Sequence, residues 1–220
     1  MTDRSETVEP EQAGTEQAGT EQVEPEQAGT EQAGTEQAEP EQASEQEKAL
    51  AALIDDRLRD VADFPQPGVL FKDISPLLAD GAAFGQCIDA LLATPEAASA
   101  DLIAGVEARG FVVAAALGQS RRAGVVLVRK AGKLPPPTVS ASYQLEYGSA
   151  EIEVPVGLLE GKRVYLVDDV LATGGTLAAA RELLTRAGAT ITGVGVLIEL
   201  SFLDGRSRLP GANLTALLTL

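Results

Sequence analysis

The segment VYLVDDVLATGGT, residues 164–176, decides the fold and indicates where a ligand binds. It begins as a nearly continuous apolar run, which is typical of a parallel strand buried on both faces. The run ends at Asp168 and Asp169, and a Thr-Gly-Gly-Thr turn then leads into a helix. In an open α/β sheet, ligands bind at the carboxyl ends of the strands. The segment therefore predicts a strand–loop–helix unit with a binding site at its turn.

The turn has the chemistry of a cradle for one phosphate. Gly174 and Gly175 allow backbone N–H groups to converge on an anion. The helix that begins near Gly175 adds the positive end of its dipole, and Thr173 and Thr176 supply hydroxyls. The two acids before the turn suit ribose hydroxyls or a hydrated magnesium ion. Taken alone, the two acids are typical of a solvated strand end, and the Thr-Gly-Gly-Thr sequence is typical of an ordinary tight turn. The prediction of a ligand site therefore depends on the two features occurring together.

Short apolar runs alternate with helical stretches on both sides of this unit. Predicted strands cover 101–106, 124–128, 163–168 and 191–200, and predicted helices cover 45–62, 81–93, 110–120 and 175–188. The runs YQLEY and EIEV predict a strand pair. Prolines and a glycine make 63–73 a structured loop, and three consecutive prolines mark a long loop over 130–142. The alternation favours an α/β fold whose mostly parallel sheet is flanked by helices.

The residue types that the chain lacks exclude several kinds of site. There is no His, which excludes Ser-His-Asp triads, His-ligated zinc and histidine proton shuttles. Cys87 is the single cysteine, so an intrachain disulfide is excluded, and we expect its thiol to be packed in the second predicted helix. One thiol without a disulfide fits a reducing compartment, and we expect a cytoplasmic location. The chain has no GxxxxGK[ST] and no GxGxxG after a strand, which excludes a P-loop and disfavours a dinucleotide fold.

The negative charge is concentrated in a repetitive N-terminal segment. The chain carries a net charge of -16, of which residues 1–47 contribute -13. From Glu11 this segment repeats EQAGT-like units with a period of five, which matches neither a helix nor a strand. Low hydrophobicity and high charge predict disorder. We therefore predict a disordered acidic low-complexity tail over residues 1–45, with no signal peptide, and one domain over 46–220.

Charge and hydropathy also bear on the partners that the chain binds. A net charge of -16 argues against nucleic acid and against an anionic membrane surface. The longest apolar runs are far shorter than a membrane span. We therefore expect neither a nucleic acid nor a membrane as a partner.

Five ordered segments resemble one family. VDDVLATGGT is similar to the phosphoribosyl-pyrophosphate signature of type I phosphoribosyltransferases. The other segments are DFPQPGVLFKDISPLL (63–78), EARGF (107–111), VRKAGKLP (128–135) and SYQLEYG (142–148). Together, residues 46–202 resemble the adenine phosphoribosyltransferase family. The resemblance implies the type I phosphoribosyltransferase fold, a homodimer, and a magnesium-dependent reaction that converts adenine and phosphoribosyl pyrophosphate into AMP and pyrophosphate.

The resemblance also implies which residues hold the phosphoribosyl group. The 5-phosphate would lie against Ala172, Thr173, Gly174, Gly175 and Thr176. Asp168 and Asp169 would bind the ribose hydroxyls, directly or through water and magnesium, and would stabilise positive charge on the ribose. Arg109 would face the pyrophosphate. A non-proline cis peptide in this loop of related structures is expected here at Glu107–Ala108.

Three cations beside the proline-rich loop form a second implied anion site. Arg129, Lys130 and Lys133 lie within five residues. Such a cluster is also typical of a solvated basic patch, but within residues 48–220, whose net charge is only -3, it favours a lid over the pyrophosphate. In the family, the arginine that matches Arg129 reaches the site of the partner subunit.

The base site and the proton donor rest on the resemblance. Glu146 would act as general acid at the purine, although its spacing also fits a surface glutamate on a β-ribbon. Tyr147 would help to shape the closed lid. Phe71, flanked by Leu70 and Lys72, would stack on the base, with core packing as an equal alternative. Lys72 stands where the family often has Arg, which matters if the guanidinium rather than the backbone contacts adenine.

Two other functions stay open at this stage. One is a sibling enzyme that uses another purine, such as xanthine or guanine. The other is a non-catalytic regulator that keeps the fold and senses phosphoribosyl pyrophosphate. The segments at 63–78 and 142–148 favour adenine, and the retained Glu146, Asp168 and Asp169 disfavour the regulator.

Overall fold

A computed structural model describes residues 40–145 and 148–220, with side chains for 45–142 and 150–220. Residues 1–39 of the predicted tail lie outside the described residues, so the disorder of the tail stays a prediction. The last residues of the predicted tail are helical, because helix α1 spans Pro40–Asp56 and so begins five residues before the predicted start. The domain boundary at 45 therefore falls inside a helix.

The remaining elements follow α1 in a regular order. Strands β1 (Arg59–Ala62) and β2 (Leu70–Asp73) come first, followed by helices α2 (Ser75–Ala79), α3 (Gly81–Leu92) and α4 (Pro95–Ser99). Next are β3 (Leu102–Val106), α5 (Gly110–Arg121), β4 (Gly124–Lys130), β5 (Thr138–Leu145) and β6 (Gly148–Pro155). The chain continues through β7 (Arg163–Leu171), α6 (Gly175–Arg186) and β8 (Thr190–Glu199). Two short 3-10 helices, Ser201–Leu203 and Gly205–Arg208, lead to β9 (Leu214–Thr219).

The main sheet confirms the predicted α/β fold. Its strand order is β5-β6-β4-β3-β7-β8-β9. The five neighbouring strands β4, β3, β7, β8 and β9 are parallel to one another. The β5–β6 hairpin adds two strands at one edge, where β6 pairs antiparallel with both β5 and β4. From β3 the chain crosses to β4 on one side, whereas β7 lies on the other side. The strand order therefore reverses between β3 and β7, which is where a binding crevice opens in such sheets.

Both faces of the sheet are buried, as the apolar strands predicted. Ile103 and Val113 belong to the cluster on one face, and Leu166 and Leu183 belong to the cluster on the other. Cys87 is fully buried in the first cluster, which confirms its packing role, and burial raises the pKa of its thiol to about 11. Within the described residues, no helix has the length and apolar character that a membrane span needs.

The first helix was predicted too long, and a hairpin was missed. Residues 59–62 were predicted to be helical and residues 70–73 to be loop, but these segments pair antiparallel as β1 and β2. The turn between them is closed by Asp63, whose Oδ1 accepts a hydrogen bond from the Gly68 N–H at 2.7 Å. An ion pair from Arg59 Nη2 to Asp73 Oδ2, 2.5 Å apart, holds the other end. The long-range pairing overrides the helical spacing of the sequence.

The close approach of α5 to the sheet gives a stability prediction. A Cβ at Gly105 would lie 2.6 Å from Ala114 Cβ and 2.8 Å from the carbonyl oxygen of Gly110. Gly105→Ala should therefore push α5 off β3 and lower the free energy of unfolding by about 1–3 kcal/mol, measured by denaturant titration. Gly85→Ala is the control, because a Cβ there meets nothing within 4 Å and the helix interior favours Ala over Gly. An equal effect of the two substitutions would contradict the packing argument.

Candidate functional site

A cleft of about 630 Å³ opens at the carboxyl ends of β3 and β7. Five of the predicted site residues line it: Arg109, Lys130, Asp168, Asp169 and Thr176. They come from three separate parts of the chain, after β3, at the end of β4 and along β7–α6. The reversal of strand order therefore brings together the cationic and acidic residues that the sequence singled out.

Two adjacent carboxylates form the floor of this cleft. Asp169 is only 4% exposed, and Asp168 is partly buried. Asp168 Oδ1 accepts a hydrogen bond from the Asp169 N–H at 2.9 Å. Burial raises the pKa of Asp168 well above its usual range, and the charge of Asp169 raises it further. Two buried acids side by side favour a ligand that brings a cation or hydroxyl donors.

The amino terminus of α5 lies directly beside the acid pair. A Cβ at Gly110, the first residue of α5, would be 2.8 Å from Asp168 Oδ1, so a glycine is needed for this approach. The positive end of the helix dipole stabilises negative charge at that point. The motif EARGF is therefore explained by packing at Gly110 as well as by the charge of Arg109.

Arg109 connects the acid pair to an aromatic residue on β2. Its Nε lies 2.7 Å from Asp169 Oδ2. That oxygen has no aligned hydrogen bond among the described residues, so the contact is one of charge. The Arg109 Cζ also lies 5.1 Å from the ring centroid of Phe71, which packs edge-on against Phe64. The Glu107–Ala108 peptide before it is cis, which confirms the expectation from the resemblance.

The predicted phosphate loop surrounds a small cavity at the start of α6. This cavity, of about 70 Å³, is lined by Asp168 and by residues 170–177. Gly174 has a φ of +77°, a conformation that glycine adopts without steric cost. As the N-cap of α6, Gly174 has no side chain with which to cap the helix. The cavity thus lies at the positive end of a helix, an arrangement that binds phosphate.

The loop between β4 and β5 is held by a residue that the sequence analysis missed. Glu153, on β6, is 5% exposed. Its Oε1 accepts hydrogen bonds from the N–H groups of Lys133 and Leu134, both at 2.8 Å, and its Oε2 accepts one from Thr138 Oγ1 at 3.1 Å. The Leu134 N–H is the largest cause of a lowered pKa at Glu153. The EIEV pattern indicates a strand but carries no signal that this carboxylate anchors a distant loop.

The three predicted cations of this region have different surroundings. Lys130 lines the cleft, and its N–H donates to Glu107 Oε2 at 2.9 Å, which is the largest cause of a lowered pKa at Glu107. Arg129 Nε lies 3.3 Å from the same oxygen, and its Nη1 donates to the Lys133 carbonyl at 3.0 Å. Lys133 itself is exposed. In this single chain, Arg129 therefore orders the loop and Lys130 faces the cleft.

The predicted base-site residues lie on β2, outside the lining of the cleft. Leu70 is exposed, and Phe71 reaches the acid pair through Arg109. Lys72 Nζ lies 2.7 Å from Asp60 Oδ1 on the paired strand β1, so its charge is already paired within the hairpin. Glu146 and Tyr147 fall outside the described residues, and their roles stay predictions.

The anchoring of the loop by Glu153 is testable without knowledge of the ligand. Glu153→Gln removes the charge that strengthens the hydrogen bonds from Lys133 and Leu134. We expect this to lower the free energy of local opening of the loop by about 1–2 kcal/mol. We expect amide hydrogen exchange over residues 131–134, which precede the three prolines of the loop, to become about 10-fold faster. Asp101→Asn is the matched control, because Asp101 Oδ2 likewise accepts a backbone N–H, from Arg163 at 2.9 Å. Unchanged exchange of the loop in Glu153→Gln would show that the carboxylate is not its anchor.

Comparisons with known proteins agree with this geometry. The phosphoribosyl transferase domain family matches residues 78–209. An adenine phosphoribosyltransferase of Frankia casuarinae is 52% identical over 178 residues, which cover 80% of this chain and 95% of the relative. One of Streptomyces coelicolor is 54% identical over 175 residues, which cover 77% of this chain and 96% of the relative.

Solved structures show the same likeness. The crystal structure of adenine phosphoribosyltransferase from Rhodothermus marinus matches with a TM-score of 0.75 and 42% identity, over 79% of this chain and 99% of that one. The Saccharomyces cerevisiae enzyme, solved with an imino-altritol bisphosphate and adenine, matches with a TM-score of 0.73 and 38% identity, over 78% of this chain and 99% of that one. The fold, the cleft and these relatives show that the chain belongs to the phosphoribosyltransferase family, among the adenine phosphoribosyltransferases.

Proposed function

We propose that this chain transfers the phosphoribosyl group of phosphoribosyl pyrophosphate to adenine, giving AMP and pyrophosphate in purine salvage. The observation that carries the proposal is the order of groups along the cleft. The phosphate loop (172–176) is followed by the carboxylates of Asp168 and Asp169, and these by the cations Arg109 and Lys130. The chain is also about half identical to adenine phosphoribosyltransferases. The substrate has the same order, with a 5-phosphate, a ribose diol and a pyrophosphate.

The ends of the substrate are held by different parts of the chain. The 5-phosphate lies against residues 172–176, where backbone N–H groups and the α6 dipole bind an anion without a lysine. Asp168 and Asp169 accept hydrogen bonds from the two ribose hydroxyls. Arg109 and Lys130 bind the pyrophosphate from the opposite side of the acid pair. Arg109 then exchanges its present contact with Asp169 for the more highly charged pyrophosphate.

The reaction breaks the bond from ribose C1 to the pyrophosphate oxygen as a purine nitrogen attacks C1. Positive charge develops on the ribose, and the adjacent carboxylates stabilise it. Negative charge develops on the departing pyrophosphate, and Arg109 and Lys130 stabilise that. Attack by this nitrogen leaves one proton too many on the purine, so Glu146 accepts the proton of the other imidazole nitrogen as the glycosidic bond forms. In the reverse reaction the same residue donates that proton as the general acid.

Magnesium fits the residues of this site. Magnesium in proteins is held by one or two carboxylates together with substrate phosphates and water. Asp169 Oδ2 has no aligned hydrogen bond among the described residues, and the pKa of Asp168 is raised by burial first and by the charge of Asp169 second. Asp168 and Asp169 would hold the ion through its waters or directly, and when bound it neutralises phosphate charge. Full activity after removal of magnesium by a chelator would contradict this assignment.

A homodimer is proposed from the resemblance, since the arginine that matches Arg129 serves the partner's site in the family. In this chain the Arg129 guanidinium lies 5.9 Å from the Phe111 ring and against Glu107, at the rim of the cleft. A monomer in sedimentation at assay concentrations would contradict the proposal. The cytoplasmic location stays a prediction of the sequence.

An assay with several purines tests the substrate assignment. With phosphoribosyl pyrophosphate and magnesium, we expect kcat/KM for adenine to exceed that for guanine, hypoxanthine or xanthine by at least about 100-fold, because buried polar groups matched to one base are left unpaired by another. Nucleotide formation is followed by the change in absorbance. Preferred use of a different purine would favour the sibling enzyme. Binding of phosphoribosyl pyrophosphate without turnover of any base would favour the regulator.

Replacement of Glu146 tests its acid–base role. Glu146→Gln keeps the size of the side chain but removes the carboxylate that exchanges the proton, so we expect kcat to fall by about 100-fold or more while KM for both substrates changes by only a few-fold. The exposed Glu47 on α1 provides the control substitution Glu47→Gln. A kcat equal to that of the wild type would remove Glu146 from the mechanism.

A further inference from the structure

The phosphate loop is backed by main chain from a distant part of the sequence. Gly205 is buried, and a Cβ at this position would overlap the carbonyl oxygen of Ala172 and lie 3.0 Å from Gly174 N. Conversely, a Cβ at Gly174 would overlap the carbonyl oxygen of Gly205. The two backbones are therefore in direct contact, and no side chain fits between them.

The segment that carries Gly205 is fixed by an ion pair next to it. Arg206 donates from Nε to Glu199 Oε1 at 3.0 Å and from Nη2 to Glu199 Oε2 at 2.5 Å. Glu199 is the last residue of β8 and is 5% exposed. The remaining guanidinium nitrogen, Nη1, donates to the Leu214 carbonyl on β9 at 3.3 Å. This two-pronged pair ties the segment to the ends of two sheet strands.

We infer that Gly205 and the Glu199–Arg206 ion pair are positioning residues for the 5-phosphate, because they fix the backbone of the loop that binds it. The inference rests on the proposed function, which assigns residues 172–176 to that phosphate. None of the three residues lines the loop cavity or the main cleft. Their effect is therefore exerted through the position of the loop.

The physical reason is the nature of the phosphate cradle. Amide groups that converge on an anion bind it well only when their positions are fixed. A misplacement of about 1 Å in a group that positions a substrate costs on the order of 100-fold in reaction rate. Gly174 holds a left-handed conformation, which is only one of those that glycine adopts readily, so neighbouring groups have to fix it. The Gly205 backbone limits the space into which Ala172 and Gly174 relax. Because the Gly205 backbone already holds the loop in place, phosphate binding loses less conformational entropy than it would with a flexible loop.

Separate measurements for ribose 5-phosphate and for adenine test this inference. We expect Gly205→Ala to weaken binding of ribose 5-phosphate, measured by calorimetry, by about 10-fold or more. In the same protein, the KM for adenine at saturating phosphoribosyl pyrophosphate should change by less than about 3-fold, because the base lies beyond the acid pair. The control is Gly85→Ala, whose new Cβ meets nothing within 4 Å.

Variants of Arg206 keep the test decisive if Gly205→Ala fails to fold. Arg206→Met removes the ion pair, and Arg206→Lys restores the charge without the two-pronged contact. Ribose 5-phosphate affinity should fall in the order wild type, Arg206→Lys, Arg206→Met, among proteins whose thermal midpoints show that they are folded at the assay temperature. A purely structural role would lower the thermal midpoint and leave this affinity unchanged, which would overturn the inference.

The outcomes separate this inference from the proposed function. If the wild type makes AMP and the folded variants bind ribose 5-phosphate as tightly as the wild type does, the inference fails and the proposed function stands. If the wild type makes no AMP but the variants still lose ribose 5-phosphate affinity in the expected order, the proposed function fails and the positioning role stands.

Discussion

The constraint on which the rest of the site depends is the pair of negative charges at the end of a buried strand. Burial raises the pKa of Asp168 well above its usual range and the charge of Asp169 raises it further, so negative charge here needs positive groups around it. The amino terminus of α5 approaches Asp168 so closely that only glycine fits at position 110. Arg109 lies 2.7 Å from Asp169. These elements leave the acid pair open to a ligand that brings hydroxyls and a cation, flanked by sites for anions.

Local features of this arrangement could be predicted from the sequence. The strand, turn and helix around residues 164–176 are continuous in the chain, and their apolar run, glycines and acids each have a local meaning. The predicted start of the strand and of the helix agrees with β7 and α6, but β7 continues three residues beyond the predicted end at 168, to Leu171, so both acids lie within the strand. Arg109 was found because it follows a strand within a recognisable motif. The rules for connecting parallel strands restrict the possible strand orders without selecting one, so the sequence predicted a mostly parallel sheet but not the order of its strands.

Features that depend on distant pairs could not be predicted. Glu153 holds a loop about twenty positions away, and Gly205 meets a loop about thirty positions away, so neither has a local pattern. The β1–β2 hairpin was missed because four residues at its start also fit helical spacing, and the pairing appears only when the turn closes. The charge of Lys72 is likewise explained only by Asp60 on the opposite strand. The net charge of -16 was a poor guide to the ligand, because most of it belongs to residues 1–47.

A crystal structure of the chain with phosphoribosyl pyrophosphate and magnesium would show whether the cleft binds this substrate in the proposed orientation. We expect the 5-phosphate against residues 172–176, the ribose hydroxyls at Asp168 and Asp169, and the pyrophosphate beside Lys130 with Arg109 moved from Asp169 toward it. A 5-phosphate bound at Arg109 and Lys130, with residues 172–176 free of ligand, would contradict the assignment of the cleft.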